Sequence, residues 1–139
     1  MIYLGLDLGS KTLGLSISDK TSTIASSLKV IRYNSEEELF LELSKVVEEY
    51  KVDKFILGNP KNLDGSLSKR SEITLEFKKK LENMYTKEVI LQDERFSTVE
   101  AQKMLISNNT RRSKRKKVVD KIASTIILQT FLDRRKNEK

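Results

Sequence analysis

The first eighteen residues alternate between apolar and small or polar positions, which is the period of a half-buried β-strand. Leucine and isoleucine occupy one side of residues 2–8 and 12–18, while glycine, serine, Tyr3 and Asp7 occupy the other side. The connection at residues 9–12 is short and turn-like, so the two runs are predicted to form an antiparallel hairpin. A third strand is predicted at residues 23–32.

Later in the chain, helix and strand signals alternate. Ser35-Glu36-Glu37-Glu38 fits a capping box, and a second box begins at Ser97. Short continuous apolar runs indicate buried parallel strands. In order, the remaining predicted elements are a helix from Ser35 to about residue 50, a strand at 55–57, a helix at 68–84, a strand at 89–91, and helices at 97–107 and 113–135.

The predicted element order is βββ-α-β-α-β-α-α. An antiparallel meander followed by βα units gives a mixed sheet flanked by helices. We therefore predict an α/β protein with the ribonuclease H-like layout, in which five strands take the spatial order 3-2-1-4-5. A chain of 139 residues is expected to form a single domain over residues 1–139.

The composition restricts the chemistry that the chain can perform. It contains no cysteine and no histidine, which excludes disulfides, thiolate metal sites and histidine general bases. Any metal would be held by oxygen ligands, which suit Mg²⁺ or Mn²⁺. No run approaches the roughly 20 apolar residues of a membrane helix. No signal peptide is evident, so the expected compartment is the cytoplasm.

Positive charge is concentrated in the second half of the chain. The net charge is +7, and residues 1–70 hold 10 basic and 10 acidic side chains whereas residues 71–139 hold 17 and 10. The densest segment contains Arg111, Arg112, Lys114, Arg115, Lys116 and Lys117. Such a run is a candidate phosphate-binding surface, although a solvated helix start would have the same composition.

Asp7 interrupts an otherwise apolar strand. Its nearest neighbours on that face are expected to be glycine or serine: Gly5, Gly9, Gly14, Ser16 and Ser18. Side chains this small would leave an open floor around the carboxylate, whereas a core face would be filled. A site where a metal and a phosphate backbone come close would be built in this way. An ordinary solvent-exposed acid would give the same local pattern.

Further acids lie in two separate segments. Asp93 and Glu94 end a predicted buried strand, which is where α/β proteins keep their chemistry. Asp120 lies near the start of the last helix, and the small residues Ala123 and Ser124 would let that helix approach the sheet. Each acid could instead form an ordinary ion pair with a basic neighbour. Three acidic segments in a chain without histidine or cysteine suit two-metal phosphoryl chemistry.

Four motifs follow one another at fitting distances along nearly the whole chain. They are Asp7–Lys11 with Gly14 and Ser18-Asp19, Leu57–Pro60 with Asn62–Ser66, Asp93–Thr98 with Ala101, and Val119-Asp120 with Ala123 and Ile127–Gln129. Together they resemble the motifs of the YqgF family, also called RuvX, of Holliday-junction-resolvase-like proteins. The resemblance implies a ribonuclease H-like, metal-dependent nuclease that processes the 5′ end of the 16S ribosomal RNA precursor.

The resemblance also assigns the acids. Asp7, Glu94 and Asp120 match the catalytic triad and would bind Mg²⁺ or Mn²⁺, with Asp93 as a further or substitute metal ligand. In a 3-2-1-4-5 sheet, Asp93 and Glu94 must reach inward across Asn59, which ends the strand between them and the first strand.

Basic residues next to the acids would contact phosphates under the same resemblance. They are Lys11, Arg95 and the run formed by Arg111, Arg112, Lys114, Arg115, Lys116 and Lys117. The expected partners are nucleic acid, RNA rather than DNA, and the ribosome or its precursors. The chain itself is expected to be a monomer or a weak homodimer.

Three other functions fit parts of the pattern. An actin-like or sugar-kinase-like ATPase uses a similar D-x-G-[ST] hairpin, but it needs two such domains to close over a nucleotide. A nuclease of this kind could instead cleave four-way DNA junctions, which resolvases cut as symmetric dimers. A non-catalytic RNA-binding or ribosome-assembly factor would require only the basic second half.

Overall fold

The computed structural model describes residues 1–59, 69–93 and 112–137. In chain order the elements are β1 (Tyr3–Leu8), β2 (Thr12–Ser18), β3 (Ala25–Arg32), α1 (Glu36–Tyr50), β4 (Lys54–Asn59), α2 (Lys69–Tyr85), β5 (Val89–Asp93) and α3 (Arg112–Asn137). The predicted helix at 97–107 lies outside the described residues. The other predicted elements are all present, with ends that agree within two residues.

The five strands form one mixed sheet in the order β3-β2-β1-β4-β5, which confirms the predicted topology. β1 pairs antiparallel with β2 and parallel with β4, and β4 pairs parallel with β5. Because β1, β4 and β5 are parallel, their last residues, Leu8, Asn59 and Asp93, share one edge of the sheet. We call this the carboxyl edge.

Helices cover both faces of the sheet, and alternate residues of each strand face different helices. Leu4, Leu6 and Leu57 belong to a core with α1 and α2. Tyr3 and Ile56 belong to a second core that is completed by α3. We call the two sides the α1/α2 face and the α3 face. Since β1 alternates, Asp7 lies on the α3 face.

The ends of α1 follow from its sequence. Glu38 N–H donates to Ser35 Oγ at 3.3 Å, and the Glu38 carboxylate accepts from Asn34 N–H at 3.0 Å, as a capping signal predicts. The helix ends where Lys51 adopts a left-handed conformation with φ 52°. Tyr50, the last helical residue, is 36% exposed and lies outside the buried stripe of the helix, which consists of Leu39, Leu43, Val46 and Val47.

Helix α3 is the longest element described and extends for 26 residues. It packs on β1, β2 and β3 across the centre of the sheet. Neither α3 nor another helix in the described ranges is apolar enough over a sufficient length to cross a membrane.

Candidate active site at the carboxyl edge

Asp7 belongs to a row of residues that crosses the α3 face close to the carboxyl edge. In the β1–β2 register, Asp7 is opposite Gly14. Continuing the β1–β4 register by one residue places Gly58 on the other side of Asp7, and Gly58 pairs with Gln92 of β5. Asp7 therefore has a glycine on each neighbouring strand. We call these four residues the Asp7 row.

One row further from the edge, the small residues have a different role from the one predicted. Gly5 is opposite Ser16, both are buried, and α3 lies directly on them. Ser124 Oγ donates to the Gly5 carbonyl oxygen at 2.8 Å, and Ser16 Oγ donates to the Ser124 carbonyl oxygen at 2.8 Å. The prediction of an open floor is thus wrong at Gly5 and Ser16, because their small size admits a helix.

We predict that Gly5→Ala destabilises the protein by about 1–3 kcal/mol, the range for overpacking a filled core. A Cβ on Gly5 would lie 2.9 Å from Leu128 Cβ and 3.2 Å from the Ser124 carbonyl oxygen. Urea unfolding followed by circular dichroism measures the change. Ser26→Ala, at an exposed position of β3, should stay within about 0.5 kcal/mol. Equal stability of Gly5→Ala and the wild type would contradict this close packing.

The contacts of α3 show that it runs antiparallel to β1. Near its middle, Ser124 bonds to Gly5. Further along the helix, the Phe131 ring packs edge-on against the Tyr3 ring, with 5.3 Å between the ring centroids. Moving back towards the start of α3 therefore moves forward along β1, towards the carboxyl edge.

This direction places position 120 on the carboxyl-edge side of Ser124, just as Asp7 lies on the carboxyl-edge side of Gly5. Asp120 lies one helical turn before Ser124, a step of about 6 Å along the helix axis. Asp7 lies two residues after Gly5, a step of about 6.6 Å along the strand on the same face. Both steps therefore lead from the Ser124–Gly5 contact towards the carboxyl edge.

Of the predicted acids, only Asp7 has a described side chain, and it is partly buried. Glu94 lies outside the described residues, while Asp93 and Asp120 are described as positions in β5 and α3. Asp93 pairs with Asn59, which confirms that β4 separates it from β1. Among the side chains within the described part of the chain, no three acids form a group that could hold a metal.

Alternation along β5 separates the position of Asp93 from that of Asp7. Val89 and Leu91 belong to the core on the α1/α2 face, whereas Ile90 belongs to the core on the α3 face. Position 93 continues the phase of Val89 and Leu91. Asp7 and Asp93 are therefore placed on opposite faces of the sheet, although both lie at the carboxyl edge.

The predicted basic residues occupy two places at this edge. Lys11 is exposed in the hairpin between β1 and β2, and it lines a cavity on the α1/α2 face. Residues 112–117 form the first turns of α3. Along the helix axis they therefore lie roughly 4.5–12 Å from Asp120, on the side towards the helix start. Arg95 and Arg111 lie outside the described residues.

Several motif residues hold the fold together. Ser18 Oγ accepts a hydrogen bond from Tyr3 N–H at 2.8 Å. Gln129 connects α3 to the start of β3, because its Oε1 accepts from Ala25 N–H at 2.8 Å and its Nε2 donates to the Thr23 carbonyl oxygen at 3.0 Å. The end of the first motif and the end of the last motif therefore have structural roles.

Asp19, which closes the first motif, orders the turn before β3. Its carboxylate accepts from the Thr21 hydroxyl, from Thr23 N–H at 2.8 Å and from Ile24 N–H at 3.1 Å. These bonds, the one from Thr21 first, lower the pKa of Asp19 from its ordinary 3.8 to about 2. A lowered carboxyl pKa stabilises the fold above the unfolded value, and that stabilisation is lost as pH falls from 3.8 towards 2.

We predict that Thr21→Ala raises the pKa of Asp19 towards its ordinary value, because the largest cause of the shift is removed. An NMR titration of the Asp19 carboxyl carbon measures both pKa values directly. An unchanged midpoint in Thr21→Ala would show that the hydroxyl does not stabilise the carboxylate. Thr12→Ala, in the hairpin at the other end of β2, serves as the matched control and should leave the midpoint unchanged.

Sequence reasoning missed Gln92. It is buried, with 5% of its surface exposed. It lies in the Asp7 row, on the same face of the sheet as Ile90. Alternation along β5 places Gln92 on the same face as Ile90, two residues earlier, and this pattern would have identified it as a residue on the face of Asp7. A buried amide can both donate and accept hydrogen bonds, so Gln92 is a polar member of this row.

Comparison with known proteins decides the family. Residues 1–134 match the family model described as "RuvX: Holliday junction resolvase". The chain belongs to the RuvX family. A RuvX relative from Bacillus pumilus (strain SAFR-032) is 47% identical over 135 residues, which are 96% of this chain and 98% of the relative. One from Bacillus subtilis (strain 168) is 44% identical with the same coverage, and both are named "Putative pre-16S rRNA nuclease".

The fold of this RuvX chain also matches a solved resolvase. RuvC of Thermus thermophilus, in a complex with a Holliday junction substrate, superposes with a TM-score of 0.56 at 14% identity, covering 96% of this chain and 95% of that one. This confirms the ribonuclease H-like fold. RuvX membership makes the chain a nuclease, a hydrolase of phosphodiester bonds in nucleic acid, so the predicted enzyme class is confirmed over the ATPase and the non-catalytic factor.

Proposed function

We propose that this RuvX nuclease matures the 5′ end of the 16S ribosomal RNA precursor, within a pre-ribosomal particle, at a site formed by Asp7, Glu94 and Asp120. The name of its curated relatives supports the substrate. One observation carries the site: α3 runs antiparallel to β1 and is fixed by the Ser124–Gly5 bond. That contact supports a position of Asp120 near Asp7, since both acids follow it in the direction of the carboxyl edge.

Strand phase favours Glu94 over Asp93 as the third acid. Position 93 is in the phase of the α1/α2 face, whereas Asp7 alternates onto the α3 face. The family resemblance matches Glu94 to the triad, and the phase of position 93 counts against Asp93. We therefore assign the triad to Asp7, Glu94 and Asp120. Asp93 is left outside the triad.

The donor set fits a hard divalent cation, for which we propose Mg²⁺ or Mn²⁺. Carboxylates that converge repel one another unless a cation lies between them. Asp7 has glycines on both neighbouring strands, which leaves room at its carboxylate, and the chain has no histidine or cysteine to offer instead. Asp7, Glu94 and Asp120 would hold the ion. A divalent ion in such a site activates water and stabilises the leaving oxygen.

The remaining residues of the edge would bind and orient the RNA. The basic start of α3 extends beyond Asp120, where it would attract the backbone of a strand that approaches the Asp7 row. Gln92, buried in that row, would orient a neighbouring carboxylate through its amide. Phosphate contacts of this kind position the substrate without reading its sequence.

The direct test uses purified protein and an end-labelled RNA that spans the mature 5′ end of 16S RNA. We expect cleavage in Mg²⁺ or Mn²⁺ and none in EDTA, because the proposed site relies on the divalent ion to activate water and to stabilise the leaving oxygen. Loss of cleavage in EDTA should be reversed by excess Mn²⁺. Cleavage that continues in EDTA would contradict a metal-dependent site.

A four-way DNA junction is the second candidate substrate, because the matching family is described as a Holliday junction resolvase. Paired cuts in a junction require a symmetric dimer. Junction and RNA should therefore be compared in one preparation, together with its sedimentation coefficient. Paired cuts by a stable dimer would favour the junction, whereas cleavage of RNA alone by a monomer would favour the ribosomal precursor.

A further inference from the structure

A cavity of about 590 Å³ opens at the carboxyl edge, on the α1/α2 face of the sheet. It is lined by the β1–β2 hairpin at residues 8–11, the residues that lead into α1, at 33–36, and one side of α2 between residues 73 and 80. Leu8 directly follows Asp7. The cavity therefore begins one residue from the proposed site and lies on the opposite face of the same edge.

The lining combines an aromatic ring with apolar walls. Tyr33 is partly buried, and its N–H donates to the Lys11 carbonyl oxygen at 3.1 Å, which fixes the end of β3 to the hairpin. Leu39 and Phe77 are buried and form apolar wall. The volume lies within the range of small-molecule sites, which are mostly apolar with a few polar groups.

Among the lining residues in the described part of the chain, positive and negative charges balance. Lys11 and Lys80 line it together with Glu36 and Glu76, and Lys80 Nζ lies 2.5 Å from a Glu36 carboxylate oxygen. At the start of α1, Ser35 already accepts the N–H of Glu38, and the acidic side chains of Glu36, Glu37 and Glu38 in the first turn would repel an anion. The chemistry of this cavity suits a neutral planar group better than a phosphate.

We propose that this cavity binds one unpaired nucleobase of the substrate strand, stacked on Tyr33, while the adjacent phosphate lies at the carboxyl edge. Proteins that bind single-stranded RNA commonly splay bases out and stack them on aromatic side chains. Lys11 stands at the mouth, where the strand would pass from the cavity to the Asp7 row. The inference rests on the proposed function, since it assumes a single-stranded RNA substrate.

The test measures RNA binding by fluorescence anisotropy in EDTA, where the strand stays intact. A set of otherwise identical strands each lacks one base. We expect one abasic position to weaken binding about tenfold, within the range for loss of a single base stack. Tyr33→Leu should weaken binding of the complete strand by a similar factor. It should have little further effect on the strand that lacks the sensitive base.

Two variants control for side effects of the substitution. Tyr33→Phe keeps the ring and should bind the complete strand within about twofold of the wild type. Tyr50→Leu changes an exposed tyrosine at the far end of α1 and should bind normally. Equal weakening of complete and abasic strands by Tyr33→Leu, or no weakening of either, overturns the proposal.

Failure of this proposal is distinguishable from failure of the nuclease site. If the protein cleaves RNA in Mg²⁺ but no abasic position weakens binding, only the base-pocket proposal fails. If one abasic position weakens binding but the protein never cleaves RNA, only the nuclease-site proposal fails and the base-pocket proposal is supported.

Discussion

Asp7→Asn is expected to reduce RNA cleavage by roughly 10³-fold while the fold remains intact. The amide keeps the size of the carboxylate but removes the charge that would hold a divalent ion in the Asp7 row. Stabilisation of transition-state charge by a metal is worth several kcal/mol, and each 1.4 kcal/mol corresponds to about a tenfold change in rate. Single-turnover cleavage of end-labelled RNA at saturating protein measures the effect on the chemical step.

The matched control is Asp133→Asn, which changes an exposed carboxylate of α3 far from the carboxyl edge. It should cleave at the wild-type rate. Mn²⁺ titration by calorimetry adds a readout apart from activity, because Asp7→Asn should weaken metal binding and Asp133→Asn should not. Cleavage by Asp7→Asn at the wild-type rate would remove Asp7 from the site and point to a contaminating nuclease.

The strands and their order could be predicted because period-two patterns carry local information. Leu4 and Leu6 mark one face of β1, and Gly5 and Asp7 mark the other. The chain order then restricts the topology, since a meander followed by βα units can form few sheets. The close approach of α3 to the sheet could also be anticipated in part, because the sequence has a small residue at Ser124, which contacts Gly5.

Sequence alone could not show what fills the space above small residues. Gly5 and Gly14 are both strand glycines on the face of Asp7 and cannot be told apart in the sequence. In the structure, Gly5 lies under Ser124 whereas Gly14 flanks Asp7. The difference depends on where α3 crosses β1, which is a property of tertiary packing. The face of position 93 likewise could not be read from the sequence, because only the two cores show which face each position of β5 occupies.

One consequence is that stability and the site share a contact. The Ser124–Gly5 bond fixes the height of α3 on β1, and this height determines the level of Asp120 relative to Asp7. An enlarged side chain at Gly5 would therefore displace Asp120 as well as weaken the core. The cleavage rate of Gly5→Ala should therefore fall by more than the loss of folded protein alone would explain.

Neutralising the basic start of α3 should have the second largest effect. The variant replaces Arg112, Lys114 and Arg115 of α3, together with Arg111 directly before it in the sequence, with glutamine. If each contacts one phosphate, the slope of log K against log salt concentration becomes less steep by roughly 3, since each contact on a single strand contributes about 0.7. Binding at low salt should weaken by about 10²-fold, and filter binding of RNA across a salt series measures both quantities.

The control for this variant removes the same number of charges from exposed lysines away from the carboxyl edge: Lys20, Lys29, Lys45 and Lys51. Both variants have equal net charge, so a general effect of protein charge would weaken RNA binding equally in the two. A local interface predicts that only the α3 variant loses affinity and salt dependence. Because residues 112–117 begin beyond Asp120 along the helix axis, their loss should reduce substrate binding and leave the cleavage rate at saturating protein nearly unchanged.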